Sequence, residues 1–272
     1  MITETVLNSL KVKPVEAGVG HWDATNNKAY SISPHTPYFN MFLCARKKSG
    51  KSSCINLITQ KCINKNTNIW VFCSTYEIDP TWKEIIKTLE SKGNVVNCFD
   101  SIYEGKTNLL NEIINEINKP EEEEEVPKVK ERKLIQLTLD DVEEEQKKKY
   151  KPKKQACEHL IIFDDMPAAM LRSPSVARLL KIHRHSKTSV IISSQYPWDL
   201  QPQSLMQIDL FLAFKGLAEE RLEKIHKLLD LSIDFEKFKE IYHHCTEEQY
   251  SFMYCSIRDE QFRRKFNYKI NY

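Results

Sequence analysis

The chain has 272 residues, with 40 Lys and Arg against 38 Asp and Glu, for a formal net charge of +2. That length suits one large domain or a core domain with additions. A near-neutral balance excludes a chain that is basic throughout, so any nucleic-acid surface has to be local.

The N-terminal MITETVLNSL has neither the charged start nor the apolar run of a secretory leader. No stretch approaches the roughly 18–20 apolar residues of a membrane span, and a soluble, intracellular protein is expected. Residues 1–37, with Pro14, Pro34 and Pro37, read as an N-terminal arm. Residues 38–44, YFNMFLC, form an apolar run that reads as a buried strand. SSCINLITQKCI follows at helical spacing, with Ile55, Ile58 and Cys62 on one face and Leu57 beside it. A second buried strand is expected over residues 68–74, then an amphipathic helix, TWKEIIKTLESKG, ending at Gly93 as a C-cap. NVVNCF reads as a short strand and residues 109–118 as a helix.

Residues 119–154 break this rhythm. Glu121 to Glu125 are consecutive, and KVKERK and DDVEEEQKKKYKPKK follow. Such blocks of like charge bury no core and stay solvated, so the segment reads as a charged, mobile insertion. An interaction tail is the functional alternative to a solvated loop. The pattern resumes with a strand at residues 159–165, HLIIFDD, a helix VARLLKIHRH, a strand at 188–195, TSVIISSQ, and a strand at 208–216 closed by Gly216. Two amphipathic helices and a terminal β-hairpin turning near Arg258–Glu260 complete the chain. Buried strands alternating with helices predict an α/β fold with a mostly parallel sheet and helices on both faces. Ligands then sit at the C-terminal strand ends.

Residues 45–52, ARKKSGKS, lie at such an end. They match a phosphate-binding P-loop in Gly50, Lys51 and Ser52. Backbone N–H groups of Ala45, Arg46, Lys47, Lys48 and Ser49 would surround phosphate oxygens, with the following helix dipole aimed at the same charge. Lys51 would reach the β and γ phosphates and Ser52 would ligate Mg²⁺. Ala45 replaces the first glycine of the pattern, so the loop's first turn should avoid a strongly positive φ. Arg46, Lys47 and Lys48 either assist phosphate attraction or form a solvated surface.

Asp164 ends the IIFD strand, the usual place for a Mg²⁺-organising carboxylate. Asp165 beside it fits a base for attacking water; a cap on the next turn is the alternative. Gln195 ends the next strand and suits a γ-phosphate or water sensor, against a simple strand-end polar residue. Arg184 suits a transition-state arginine acting in a neighbouring subunit's site, with Arg178 and Arg172 as competitors. His183 and His185 read as polar surface residues. The eight cysteines show no CxxC pair or zinc-finger spacing and read as free thiols. Cys44 and Cys54 flank the loop and would make it oxidation-sensitive if reactive.

FLCARKKSGKSS, LIIFDDMP, and RHSKTSVIISSQ followed by IDLFLAFKG together resemble the genome-packaging ATPases of large eukaryotic DNA viruses and virophages, in the FtsK/HerA superfamily of P-loop motors. The resemblance spans about residues 38–216. It implies a RecA-like P-loop NTPase core over 38–272, a ring of identical subunits, and ATP-driven movement of double-stranded DNA into a preformed capsid. It implies ATP and Mg²⁺ as cofactors, with Lys51 and Ser52 on nucleotide and metal and Asp164 on metal. Asp165 would activate water, Arg184 serve as the trans finger and Gln195 as the sensor. Capsid components follow as partners, and the host cytoplasm or the virion as location. The competing class is a P-loop kinase acting on a small molecule, for which RSPSVARLLKIHRH is the candidate lid. A non-catalytic scaffold is a third reading, opposed by intact Lys51, Ser52, Asp164 and Asp165.

Overall fold

The structure is a computed structural model that describes residues 31–119 and 157–272. The first 30 residues of the predicted arm and nearly all of the charged insertion lie outside the described residues. Six strands run parallel: β1 (Asn40–Cys44), β2 (Asn68–Cys73), β3 (Val96–Phe99), β6 (His159–Asp164), β7 (Thr188–Ser194) and β8 (Leu210–Phe214). Three more, β9 (Phe252–Ser256), β10 (Gln261–Arg264) and β11 (Tyr268–Lys269), add antiparallel beyond β8. The sheet order is β11-β10-β9-β8-β1-β7-β6-β2-β3. A small separate hairpin, β4 (Tyr103–Glu104) with β5 (Thr107–Asn108), precedes a helix.

The parallel strands are buried on both faces because each alternate residue meets a helical layer. Met41 and Leu43 of β1 enter a core with Ile55 and Ile58 of α1 (Lys51–Cys62) and Trp82, Ile85 and Leu89 of α2 (Pro80–Ser91). Phe42 and Cys44 enter the opposite core. There they meet α3 (Leu109–Ile117), α5 (Pro174–Ile182), α7 (Glu219–Leu229) and α8 (Phe235–Cys245). Two four-residue helices, α4 (Ala168–Leu171) and α6 (Pro202–Leu205), complete the connections. Phe42 stacks on Phe211 with ring centroids 5.6 Å apart, one of several aromatic contacts that fill this second layer.

Local signals set the helix ends as the sequence suggests. Asp79 caps α2 by accepting from the Thr81 N–H at 2.8 Å, Pro80 opens the helix, and Gly93 takes φ 87° just past its end. Two expectations need correction. On α1, Leu57 is 46% exposed, and Cys54 and Thr59 join the buried face instead. The helix read over VARLLKIHRH begins earlier, behind the Ser173 cap, and ends at Ile182, leaving Arg184 in a turn. The terminal hairpin forms as expected, with β9 and β10 antiparallel around Arg258–Glu260, and β9 also pairs with β8 and extends the main sheet.

Candidate active site

The P-loop leaves β1 through Ala45, whose N–H donates to the Ser194 carbonyl at 3.1 Å while its methyl group is buried in the core. Ala45 is not among the residues with positive φ; Lys48 (φ 62°) and Gly50 (φ 88°) are. The loop therefore makes its left-handed turns later than its first residue, and the missing glycine costs nothing there. The exposed Lys48 carries the unfavourable conformation, of order 1 kcal/mol for a residue with a Cβ. Gly50 caps α1 with no side-chain hydrogen bond, and the first turn holds no acidic residue. The first helical backbone bond is Cys54 N–H to the Gly50 carbonyl, 3.1 Å. The preceding N–H groups of the helix have no partner inside it, which suits phosphate oxygens. The Ser49 hydroxyl is buried without a hydrogen-bond partner.

The shared register of neighbouring strand ends brings the acidic pair to the same place. Asp165 donates its N–H to the Ser193 carbonyl at 3.2 Å, one residue before the carbonyl that holds Ala45. It adopts φ 51°, a left-handed turn that aspartate tolerates better than most residues. This turn aims both carboxylates at Lys51, whose ammonium lies 3.2 Å from Asp164 Oδ1 and in direct contact with Asp165 Oδ2. Burial alone would lower the Lys51 pKa. The Asp164 charge and the Asp165 hydrogen bond outweigh it and leave the pKa raised, so the side chain stays an ammonium. Asp164 is 3% exposed. Its Oδ2 accepts from Trp82 Nε1 at 2.8 Å, while its buried Oδ1 accepts no directed hydrogen bond. That oxygen, held only by the Lys51 ion pair on a carboxylate already fixed in orientation, fits a hard divalent cation with Ser52 at the start of α1 as second donor. Among the described residues no group of three or more His, Cys, Asp or Glu could hold a metal by itself, so the fit is to a metal that also takes phosphate ligands.

Gln195 follows β7 at this same edge. Its carbonyl accepts from Cys44 Sγ and from Arg221 Nη1, both at 3.4 Å. Arg184 is elsewhere. It precedes β7, and it pairs with Asp209, which precedes β8. Asp209 also accepts the Asn40 N–H at 2.9 Å at the very start of β1. Arg184 thus occupies the N-terminal edge of the sheet, about 20 Å from the P-loop at some 3.3 Å per strand residue. It cannot serve this chain's own site. Arg178 lies on α5, while Arg172 reaches the Trp198 carbonyl at 2.6 Å, near the catalytic edge. Arg46, Lys47 and Lys48 are all exposed, and Arg46 runs past Gly216, whose notional Cβ would sit 3.6 Å from Arg46 Cδ. Cys44 and Cys54 are buried, which pushes each thiol up to about 12. Neither is a reactive thiolate at neutral pH, so the oxidation-sensitive loop is not supported.

With this geometry in view, comparison with known proteins is informative. A family model described as Poxvirus A32 protein matches residues 31–237. The chain belongs to the Poxvirus A32 protein family. Its resemblance to viral packaging ATPases of the FtsK/HerA superfamily is thereby borne out, and with it the reading of the chain as an ATPase. No curated protein matches the sequence. Among solved structures, the genome packaging NTPase B204 from Sulfolobus turreted icosahedral virus 2, in complex with AMP, is 18% identical with a TM-score of 0.51. The match covers 84% of this chain and 96% of that one. B204, the DNA-packaging ATPase from Sulfolobus turreted icosahedral virus, is 17% identical with a TM-score of 0.50, covering 83% and 95%. At that identity they establish the P-loop NTPase fold. The A32 match takes in the loop, the acidic pair, Arg184 and Gln195, and ends before β9, so the antiparallel extension lies beyond it.

Two residues of this A32-family site were not legible in the sequence. Trp82 sits on an amphipathic helix and reads as a core residue; only the tertiary structure shows its indole N–H on Asp164. Tyr250, 58% exposed, lays its ring over the P-loop, 3.3 Å from where a Gly50 Cβ would stand. Trp82→Phe removes the donor but keeps the bulk. We expect it to cost about 1.5–3 kcal/mol in denaturant unfolding and to weaken the Mg²⁺ dependence of ATP turnover about tenfold or more; unchanged Mg²⁺ titration curves would show that the indole does not orient the carboxylate. At the opposite edge, burial would raise the Asp209 pKa, but hydrogen bonds from His183 and Asn40 and the Arg184 charge hold it below 3.8. A depressed carboxylate stabilises the fold above its ordinary pKa, and that contribution is lost as pH falls through the depressed value. Asp209→Asn should therefore cost about 1–3 kcal/mol at pH 7, with the gap to wild type closing below pH 3.8 in unfolding curves taken across the acid range.

Proposed function

We propose that this chain is an ATP-driven motor that moves double-stranded viral DNA into a preformed capsid, hydrolysing ATP at sites shared between neighbouring subunits of a ring. The observation that carries the reading is the division of the catalytic set between two sheet edges. Lys51, Asp164, Asp165 and Gln195 lie together, while Arg184 lies across the sheet with its side chain 55% exposed. An arginine so placed suits the site of an adjacent copy, and a ring supplies that copy. Membership of the A32 family and the naming of the similar B204 proteins as packaging NTPases support the same reading. Assembly in the host cytoplasm or within the virion, with capsid components as partners, belongs to this proposal. No helix among the described residues is long and apolar enough to cross a membrane.

Lys51 is the counter-ion of both Asp164 and Asp165. Phosphate oxygens entering the loop compete for that ammonium and leave the Asp165 carboxylate available as a base. Asp165 accepts a proton from water as the water oxygen attacks the γ-phosphorus. The bond from that phosphorus to the β–γ bridging oxygen breaks, giving ADP and inorganic phosphate. The Gln195 amide would orient the water or register the lost phosphate. Mg²⁺, held by Ser52 and Asp164, would neutralise phosphate charge. The partner's equivalent of Arg184 would stabilise charge in the transition state.

Measuring ATP hydrolysis with and without long double-stranded DNA tests the reading. We expect DNA to stimulate turnover and Lys51→Ala to abolish it; phosphate transfer to a small acceptor with no DNA effect would instead make the chain a phosphotransferase. Arg184→Ala should bind ATP yet turn over roughly 10³-fold more slowly, and mixing it with Lys51→Ala should restore part of the activity. Full-rate hydrolysis by a stable monomer would remove the finger from the neighbouring subunit.

A further inference from the structure

The turn that follows Gln195 carries an arrangement that ATP chemistry does not use. Tyr196 and Trp198 pack with tilted rings, their centroids 5.2 Å apart. From α7, Arg221 places its guanidinium 4.4 Å from the Tyr196 centroid, and Lys224, three residues on, places its ammonium 5.3 Å from the Trp198 centroid. Arg172, from the segment after β6, holds the Trp198 carbonyl at 2.6 Å. Gln201 donates to the Arg172 carbonyl at 2.6 Å and lines an adjoining groove together with Arg178 and Lys181. In a chain with a net charge of only +2, five cations thus fall on one continuous run of surface. The acidic groups nearby are largely engaged: Asp199 takes the Ser194 hydroxyl, and Glu223 pairs with Lys227 at 2.7 Å. Glu220, beside Arg221 in the helix, adds a further negative charge.

We propose that this aromatic–cationic surface grips the phosphate backbone of double-stranded DNA, and that Arg221 links the grip to the nucleotide state. The proposal rests on the motor reading above. Guanidinium and ammonium groups held over aromatic faces are pre-positioned while still able to turn to a phosphate oxygen. Contacts of this kind bind the backbone without reading sequence, as a translocating motor requires. Arg221 touches both the Gln195 carbonyl and the Tyr196 ring, so a shift of Gln195 on phosphate loss is carried directly to the surface. Arg221 is in this sense a positioning residue.

The test compares the full chain with Lys181→Ala/Lys224→Ala, both exposed and outside the ATP site. Lys61→Ala/Lys65→Ala, at the far end of α1, is the charge-matched control. Binding of a labelled 30-base-pair duplex, sized at about three helical turns, is followed by anisotropy across a salt series. We expect the double variant to flatten the log–log salt slope by about 2 units, weaken binding about tenfold or more at low salt, and lose DNA stimulation. Its DNA-free ATPase rate and unfolding midpoint should match wild type, and the control should bind as wild type does. Wild-type-like DNA binding and stimulation by the double variant would overturn the proposal. So would a shift of that variant to a smaller oligomer without DNA, which assigns the surface to contact between copies. Absence of DNA binding by the wild-type chain would instead overturn the motor reading, and this surface with it.

Discussion

A buried ammonium has to be neutralised, and the catalytic edge of this protein is organised around that requirement. Lys51, with its side chain only 11% exposed, stands against two carboxylates supplied by adjacent residues of another strand. Removing either partner would leave a charge with little water to solvate it. The same requirement makes the site responsive, because phosphate is the other anion that satisfies Lys51.

Strand β7 is the template for this arrangement. Its last two carbonyls receive Asp165 and Ala45, the first residues after β6 and β1. Parallel strands in register bring three chain exits to one level, and the exit of β7 adds Gln195. A P-loop, an acidic pair and a glutamine separated by as many as 150 residues of sequence meet because backbone hydrogen bonds fix the heights at which the strands end. The opposite edge obeys the same geometry: Asn40 opens β1, Arg184 and Asp209 precede β7 and β8, and the three meet around the Asp209 carboxylate. Parallel pairing thus places Arg184 and the phosphate loop at opposite edges of the sheet within one chain.

The cysteines and Ala45 illustrate how burial settles questions that residue identity raises. Cys44 and Cys54 stand beside the phosphate loop, yet desolvation keeps them as thiols. Cys44 acts as a weak donor to the Gln195 carbonyl. Ala45 breaks the glycine pattern, yet the loop turns at Lys48 and Gly50 and needs no glycine at its first position. Its methyl group is part of the core instead.

The sequence by itself determined the parallel α/β architecture, the P-loop and the acidic strand end. Buried parallel strands are continuous apolar runs, and phosphate cradles need specific residue types at fixed short spacing; both are local properties. It also determined that Gln195 and the acidic pair share an edge, since strand direction follows from alternation with helices. Only the tertiary structure decided which distant side chains complete the site. Trp82 reads as one apolar position on α2 until the fold sets its indole on Asp164, and Tyr196, Trp198, Arg221 and Lys224 become one surface only when α7 packs across the turn after β7. Those contacts depend on which helix covers which strand end, and that is set by the packing of the whole chain.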